Sequence, residues 1–231
     1  HFPGVEGVSI SHFSLSSVAS APDLVASVSE ILEMGTKDSP WIAGQTGLET
    51  GSPRLARMHM ANKSKPFSPE EWPEVVKRAY GILMDNHWIP CATIILGLPG
   101  ENDDDIVRSI DLVEDLKGYP GLMVPLFLVP LGGMRSEKPF RIEDANELVY
   151  ELIYECWKYD MRWLPYLANS YVRRQFYTQI LAKSFLNLFM TYVRTIMAPR
   201  MEKLFKLHSA LPKRRIGRDT KDRAITPRIS V

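Results

Sequence analysis

Residues 91–116 read CATIILGLPGENDDDIVRSIDLVEDL. Residues 91–98 are a near-continuous apolar run, which predicts a buried strand. Gly97-Leu98-Pro99-Gly100-Glu101 then breaks the chain with turn residues. From Asp103 to Leu116 the pattern becomes helical, with Ile106, Ile110, Leu112, Val113 and Leu116 on one side and acids at the start, where they favour the helix dipole. This is one strand–turn–helix unit. The same alternation extends in both directions. Residues 8–15 predict a strand, and residues 22–34 a helix with Leu24, Val25, Val28, Ile31 and Leu32 at helical spacing. Residues 41–48 predict a Gly-rich strand. Residues 69–85 predict a helix with Ser68 as N-cap, Glu71 at the capping-box position, and Trp72, Val75, Val76, Ala79 and Ile82 as its apolar stripe. Residues 122–131 predict another buried strand. Strands apolar on both faces, alternating with helices, argue for a parallel α/β sheet or barrel with helices outside. The units are too few for an eight-fold barrel, so the sheet is expected to be open or incomplete.

Beyond Gly132 and Gly133 the character changes. Residues 142–159 predict a helix with Leu148, Leu152, Ile153, Cys156 and Trp157 on one face, and residues 169–207 a long aromatic-rich helix. Residues 199–231 carry ten Lys/Arg against three Asp/Glu. Beyond residue 211 apolar periodicity is lost, and disorder is expected there. The expected units are 1–135 (the α/β part), 136–211 (a helical subdomain) and 212–231 (a basic tail). No internal repeat is present.

The chain has 231 residues, is 45% hydrophobic and carries a formal net charge of +1, so no global field points to nucleic acid. Cys91 and Cys156 are too few for a disulfide framework or a four-cysteine metal site. The most membrane-like C-terminal stretch, residues 184–193, is too short to span a bilayer. The N-terminus lacks a basic segment followed by an apolar run, so a cytoplasmic location is expected. The first residue is His1, in mid-pattern, which points to a fragment.

In parallel sheets, ligands sit at the C-terminal ends of the strands. Three such places concentrate polar residues or glycine: Ser9, Ser11, His12 and Ser14; the run Gly47-Leu48-Glu49-Thr50-Gly51-Ser52-Pro53-Arg54-Leu55; and Gly97 to Glu101. Glycine there lets a ligand approach the backbone. Glu49 would accept from an amine, and the following helix start would attract an anion. Each feature also has a plain structural meaning. A Glu before Gly-Ser precedes many helix caps, residues 101–105 are an ordinary acidic helix start, His12 could be a buried histidine, and the cysteines fit a core. Glu49, Glu101 and His12 would also serve as acid–base groups in an unrelated α/β enzyme.

Taken together, Glu49-Thr50-Gly51-Ser52, Lys63 after Asn62, and Gly97-Leu98-Pro99-Gly100-Glu101 resemble the later part of a radical S-adenosylmethionine (SAM) domain. The branch most resembled often carries a cobalamin-binding domain ahead of the radical SAM domain. In that branch a Glu-Thr-Gly-Ser or Gln-Ser-Gly-Ser segment follows the fourth barrel strand, and a Gly-(Leu/Phe)-Pro-Gly-Glu segment ends the fifth. The resemblance covers about residues 7–135, with residues 124–132 as the sixth strand. More distantly, the chain is similar to the archaeal proteins of this branch that include tetraether-lipid ring synthases. The fold implied is the C-terminal part of a partial (β/α)6 TIM-like barrel, followed by a helical extension.

The resemblance implies roles. Glu49, with Thr50, Gly51 and Ser52, would meet the SAM amine or ribose, and Lys63 its carboxylate. Gly97, Pro99 and Glu101 would lie beside the adenine, and His12 and Ser14 would border the pocket. A [4Fe-4S] cluster held by Cys-x3-Cys-x2-Cys would cleave SAM to a 5′-deoxyadenosyl radical. That motif is absent from this sequence, so the cluster, and any cobalamin, would be bound by residues outside the chain. A reductant such as ferredoxin or flavodoxin and a small-molecule or lipid substrate are the implied partners. A non-catalytic barrel that keeps a SAM pocket is a second reading. In the C-terminal part, Phe176, Ile180, Leu181, Phe185, Leu188, Phe189, Tyr192, Val193 and Ile196 form an apolar stripe amid Lys183, Arg194, Arg200, Lys203 and Lys206. The stripe would pack on the barrel, or would place the 176–207 helix on a membrane surface.

Overall fold

The computed structural model describes residues 9–171, 184–185 and 187–208. Three parallel strands form an open sheet in the order β1 (Ile42–Glu49), β2 (Trp88–Leu96), β3 (Leu122–Phe127). Gln45 is in register with Cys91, and Cys91 with Leu122; Gly47 is in register with Thr93, and Thr93 with Val124. Helices connect the strands: α1 (Leu15–Ser20) and α2 (Pro22–Ile31) precede β1, α3 (Pro53–Met60) and α4 (Trp72–Asp85) lead to β2, and α5 (Asp103–Asp115) leads to β3. α6 (Glu147–Tyr171) follows. Residues 187–192 are helical, a π-helical segment spans Val193–Met197, and α7 (Ala198–His208) ends the described chain. The fold is mixed α/β, as the sequence predicts.

Alternation along the strands separates two faces. Leu48, Ala92, Ile94, Leu96 and Met123 are buried in one core with Trp72, Val76, Ala79 and Leu83 of α4, Ile106, Ile110 and Val113 of α5, and Leu152, Cys156 and Tyr159 of α6. Burying a side chain such as Leu or Met contributes about 1.5–3 kcal/mol, so this face dominates the stability of the sheet. The opposite face carries Gln45, Gly47, Cys91, Thr93, Ile95, Leu122, Val124 and Leu126, all half-buried or exposed. The expectation of strands buried on both faces is therefore corrected: the apolar stripes of α4, α5 and α6 meet in a core against one face, and on the other face only Ile89, near the start of β2, is buried among the strand residues.

The predicted strand over residues 8–15 is also corrected. Residue 8 lies outside the described residues, and the rest forms a single parallel bridge, His12 to Gln45. Gln45 N–H donates to Ser11 O and Phe13 N–H to Gln45 O, both at 3.0 Å. Ser14 then turns extended and N-caps α1, so the chain leaves the sheet edge there. β2 begins at Trp88, ahead of the expected residue 91. Pro90 fits inside it because it precedes the first β2–β3 pair, Cys91 with Leu122, where β2 is still an edge. β3 stops at Phe127 instead of residue 131. The expected helix over residues 142–159 divides into a 3-10 turn, Ile142–Asp144, and the longer α6.

α6 shares the core of the sheet through Val149, Leu152, Cys156, Tyr159, Trp163 and Leu167. It also caps the β3 edge: Asp160 Oδ1 accepts Met123 N–H at 2.7 Å, and Tyr159 Oη donates to Tyr119 O at 2.8 Å. Ahead of α7, the π segment ends where Ala198 N–H bonds Val193 O. Pro199 follows at once and has no N–H to offer Thr195 O, so the wider turn fits the sequence. No helix among the described residues is long and apolar enough to cross a membrane. Of the predicted C-terminal stripe, Phe176, Ile180, Leu181 and Lys183 lie outside the described residues, as does the tail 212–231.

Candidate functional site

The C-terminal ends of β1 and β2 bring charged and hydroxyl groups onto the open face of the sheet. The register shifts between Gly47 and Glu49, and Glu49 takes a left-handed backbone, φ 67°. This conformation is unusual for a residue with a side chain. Its carboxylate forms an ion pair with Lys63 Nζ and accepts the Thr93 hydroxyl at 3.0 Å. Gly47 makes room: a Cβ there would collide with both Glu49 and Lys63. Lys63 follows α3, and its carbonyl accepts the hydroxyl of Ser16, a buried residue of α1, at 2.7 Å. Ser16 Oγ in turn lies 2.9 Å from Ser14 Oγ. One polar chain thus runs from Ser14 through Ser16 and the Lys63 backbone to the Lys63–Glu49–Thr93 cluster. The Glu49 and Lys63 side chains retain 19% and 33% of their exposure, so both charges are within reach of a ligand.

Thr50, Gly51 and Ser52 lie just beyond, but their groups are engaged inside the protein. Thr50 and Ser52 are fully buried. Gly51 N–H donates to Ser109 Oγ at 2.9 Å, and a Cβ at Gly51 would collide with the backbone of Arg108 and Ser109. That close approach of α5 is what requires glycine here. Ser52 donates to Asp105 Oδ1 at 2.5 Å and accepts Leu55 N–H at 3.3 Å as the N-cap of α3. Asp105 also pairs with Arg54 and accepts Asn102 N–H at 2.9 Å. Burial would push the Asp105 carboxyl up, but the hydrogen bonds from Arg54, Ser52 and Asn102 outweigh it and hold it below the ordinary aspartate value.

The third predicted segment forms a tight turn after β2. Gly97 (φ 81°) and Gly100 (φ 75°) adopt the left-handed conformation, and a Cβ on Gly97 would collide with Phe140. Glu101 closes the turn on itself: Oε2 accepts Gly97 N–H at 2.8 Å. Burial pushes the Glu101 carboxyl up to about 7, and the Gly97 hydrogen bond only partly offsets this. α3 clamps the turn from outside, with His59 Nε2 donating to Pro99 O at 2.8 Å and Arg54 to Gly100 O at 2.6 Å. His12 sits at the outer edge of β1, exposed, with Nδ1 hydrogen-bonded to the Ser11 hydroxyl at 2.7 Å.

The predicted residues therefore fall into three groups. Glu49 and Lys63 meet on the open face, with Ser14 joined to them through Ser16. Gly97, Pro99 and Glu101 shape the neighbouring turn. Thr50, Gly51 and Ser52 hold α3 and α5 together beneath it. Thr93, Ser16, His59 and Asp105, which were not singled out in the sequence, complete this arrangement together with Arg54, which lies in the predicted Gly47–Leu55 run without an assigned role. Strand alternation could have found Thr93, which shares the open face with Gly47; no sequence signal marks Ser16. Cys91 is half-buried on the open face and Cys156 fully buried in the core. Among the described residues, no group of three or more His, Cys, Asp or Glu is arranged to hold a metal ion. The chain matches no protein-family model and no curated protein.

Proposed function

We propose that this chain is the SAM-binding, C-terminal part of a radical SAM enzyme, with its sheet forming the last strands of a partial (β/α)6 barrel. The observation that supports this most is the Glu49–Lys63–Thr93 cluster on the open sheet face. The two opposite charges, both partly exposed, suit a zwitterionic amino-acid group such as the methionyl end of SAM, with its ammonium on Glu49 and its carboxylate on Lys63. The open face would be the barrel lumen, and the Gly97–Gly100 turn at the end of β2 would flank the adenine. Ser52, whose hydroxyl is held by Asp105, would act by fixing the start of α3 and so the path toward Lys63.

Two cysteines in separate surroundings do not fit a [4Fe-4S] cluster. The cluster, and cobalamin where it is used, would be held by residues outside this chain. When bound, the cluster supplies the electron, delivered by a ferredoxin or flavodoxin, that splits SAM into methionine and a 5′-deoxyadenosyl radical able to take hydrogen from a C–H bond. Ile95, Val124 and Leu126 on the same open face suit a hydrophobic substrate, a lipid among them. Titrating the cluster-bearing protein with SAM tests the assignment. Glu49→Gln and Lys63→Met should each raise Kd at least about tenfold, equivalent to about 1.4 kcal/mol. Unchanged affinity in both variants would remove the basis for the proposal.

A further inference from the structure

The described C-terminal helical residues, 184–185 and 187–208, carry two apolar faces, and packing accounts for one of them. Met190, Val193 and Phe205 are buried, and the Phe205 ring lies 4.7 Å from that of Tyr154 on α6. The other face follows the spacing i, i+3, i+4, i+7, i+11: Phe185, Leu188, Phe189, Tyr192 and Ile196. Phe185 and Leu188 are 72% and 70% exposed, and the remaining three at least 40%. A helix anchored on one side gains nothing in water from a second apolar stripe.

Charge identifies what covers it. Arg194, Arg200 and Lys203 are exposed on the same segment. Its one acid, Glu202, accepts the Tyr154 hydroxyl at 3.4 Å. From residue 199 onward the sequence carries ten Lys/Arg against three Asp/Glu, whereas the whole chain carries 28 against 27, so the preceding residues are net negative. The net positive charge is therefore concentrated in the last part of the sequence, which begins on the segment that bears the exposed stripe. We propose that this face is a docking surface for an anionic lipid bilayer. Its aromatic and aliphatic side chains would enter the headgroup boundary while the arginines and lysines meet the lipid phosphates. A second copy of the chain would bring two basic segments together, which the charge distribution opposes. A net-acidic body would also be held away from the same surface, so the charge asymmetry orients the protein on the bilayer. The proposal involves neither Glu49 nor Lys63 and stands apart from the SAM assignment.

Flotation of the 231-residue chain with phosphatidylcholine vesicles, with and without phosphatidylglycerol, tests it. Binding should appear only with the anionic lipid, fall about tenfold or more on going from low to high salt, and fall at least about tenfold in the Leu188→Ser/Ile196→Ser variant. Both positions are exposed, so the variant should keep the wild-type circular dichroism melt. A Tyr192→Trp reporter should blue-shift on adding anionic vesicles. Absence of binding at low salt would overturn the proposal. So would a wild-type dimer in sedimentation that the paired variant abolishes, because the stripe would then be covered by a second copy.

Discussion

Glu101 illustrates how one carboxylate can be read in two ways. In the sequence it ends a Gly-Leu-Pro-Gly-Glu run and resembles a ligand-binding acid; in the structure it closes the turn on Gly97 N–H, and burial moves it to about 7. Its folded value lies above the unfolded one, so its contribution to stability is complete below about pH 4.5 and is lost as pH rises through 7. Asp160, raised to about 7 by burial, adds a loss of the same sign. Stability should therefore fall as pH rises from about 4 to 7, by an amount on the order of several kcal/mol. Glu101→Gln keeps the acceptor for Gly97 and removes one of the two titrations. Urea unfolding across that range should show a shallower slope in the variant; an unchanged slope would contradict the burial of Glu101. At this scale, Glu49 drew notice as a charge at a strand end, whereas Lys63, which follows α3, entered only through the family resemblance. The use of Ser52 was not, because a hydroxyl in that position looks the same in sequence whether it faces a ligand or caps a helix toward Asp105.

Among the elements, helices and strand cores were easiest to read, because their periodicity reflects burial on one side. α2, α4 and α5 fall close to where the apolar stripes put them. The ends were harder. Ser14 both looks like strand and caps α1, and only the tertiary bonds of Gln45 to Ser11 and Phe13 decide where the sheet edge stops. The apolar runs of β2 and β3 also hid the open face, since Ile95, Val124 and Leu126 look as buried in sequence as Leu96 and Met123. β3 separates the two faces experimentally. Met123→Ala, at a fully buried position, should cost about 2–5 kcal/mol. Leu126→Ser, at a position 45% exposed, should stay within about 0.5 kcal/mol of wild type. Denaturant midpoints that fall equally for both would mean that the second face is covered after all.

For the whole molecule, the features belong to one arrangement: helices on one face of a three-stranded parallel sheet, a bipolar cluster on the other, and a basic helical segment at the far end of the chain. The α/β class followed from the order of elements. The depth of the core did not, because α6, which the sequence assigns to a separate helical part, joins the core of the sheet through Leu152, Cys156 and Tyr159. The central claim, the proposal that this arrangement supports SAM cleavage, is tested most directly by reconstituting, under reducing conditions, a protein that contains this chain together with the cluster-binding residues the proposal requires, and measuring 5′-deoxyadenosine by mass spectrometry. The account predicts 5′-deoxyadenosine formed from SAM, with at least about a tenfold fall in rate for Glu49→Gln and Lys63→Met. A full-length sequence without Cys-x3-Cys-x2-Cys, or a reduced protein that yields no 5′-deoxyadenosine, would contradict it.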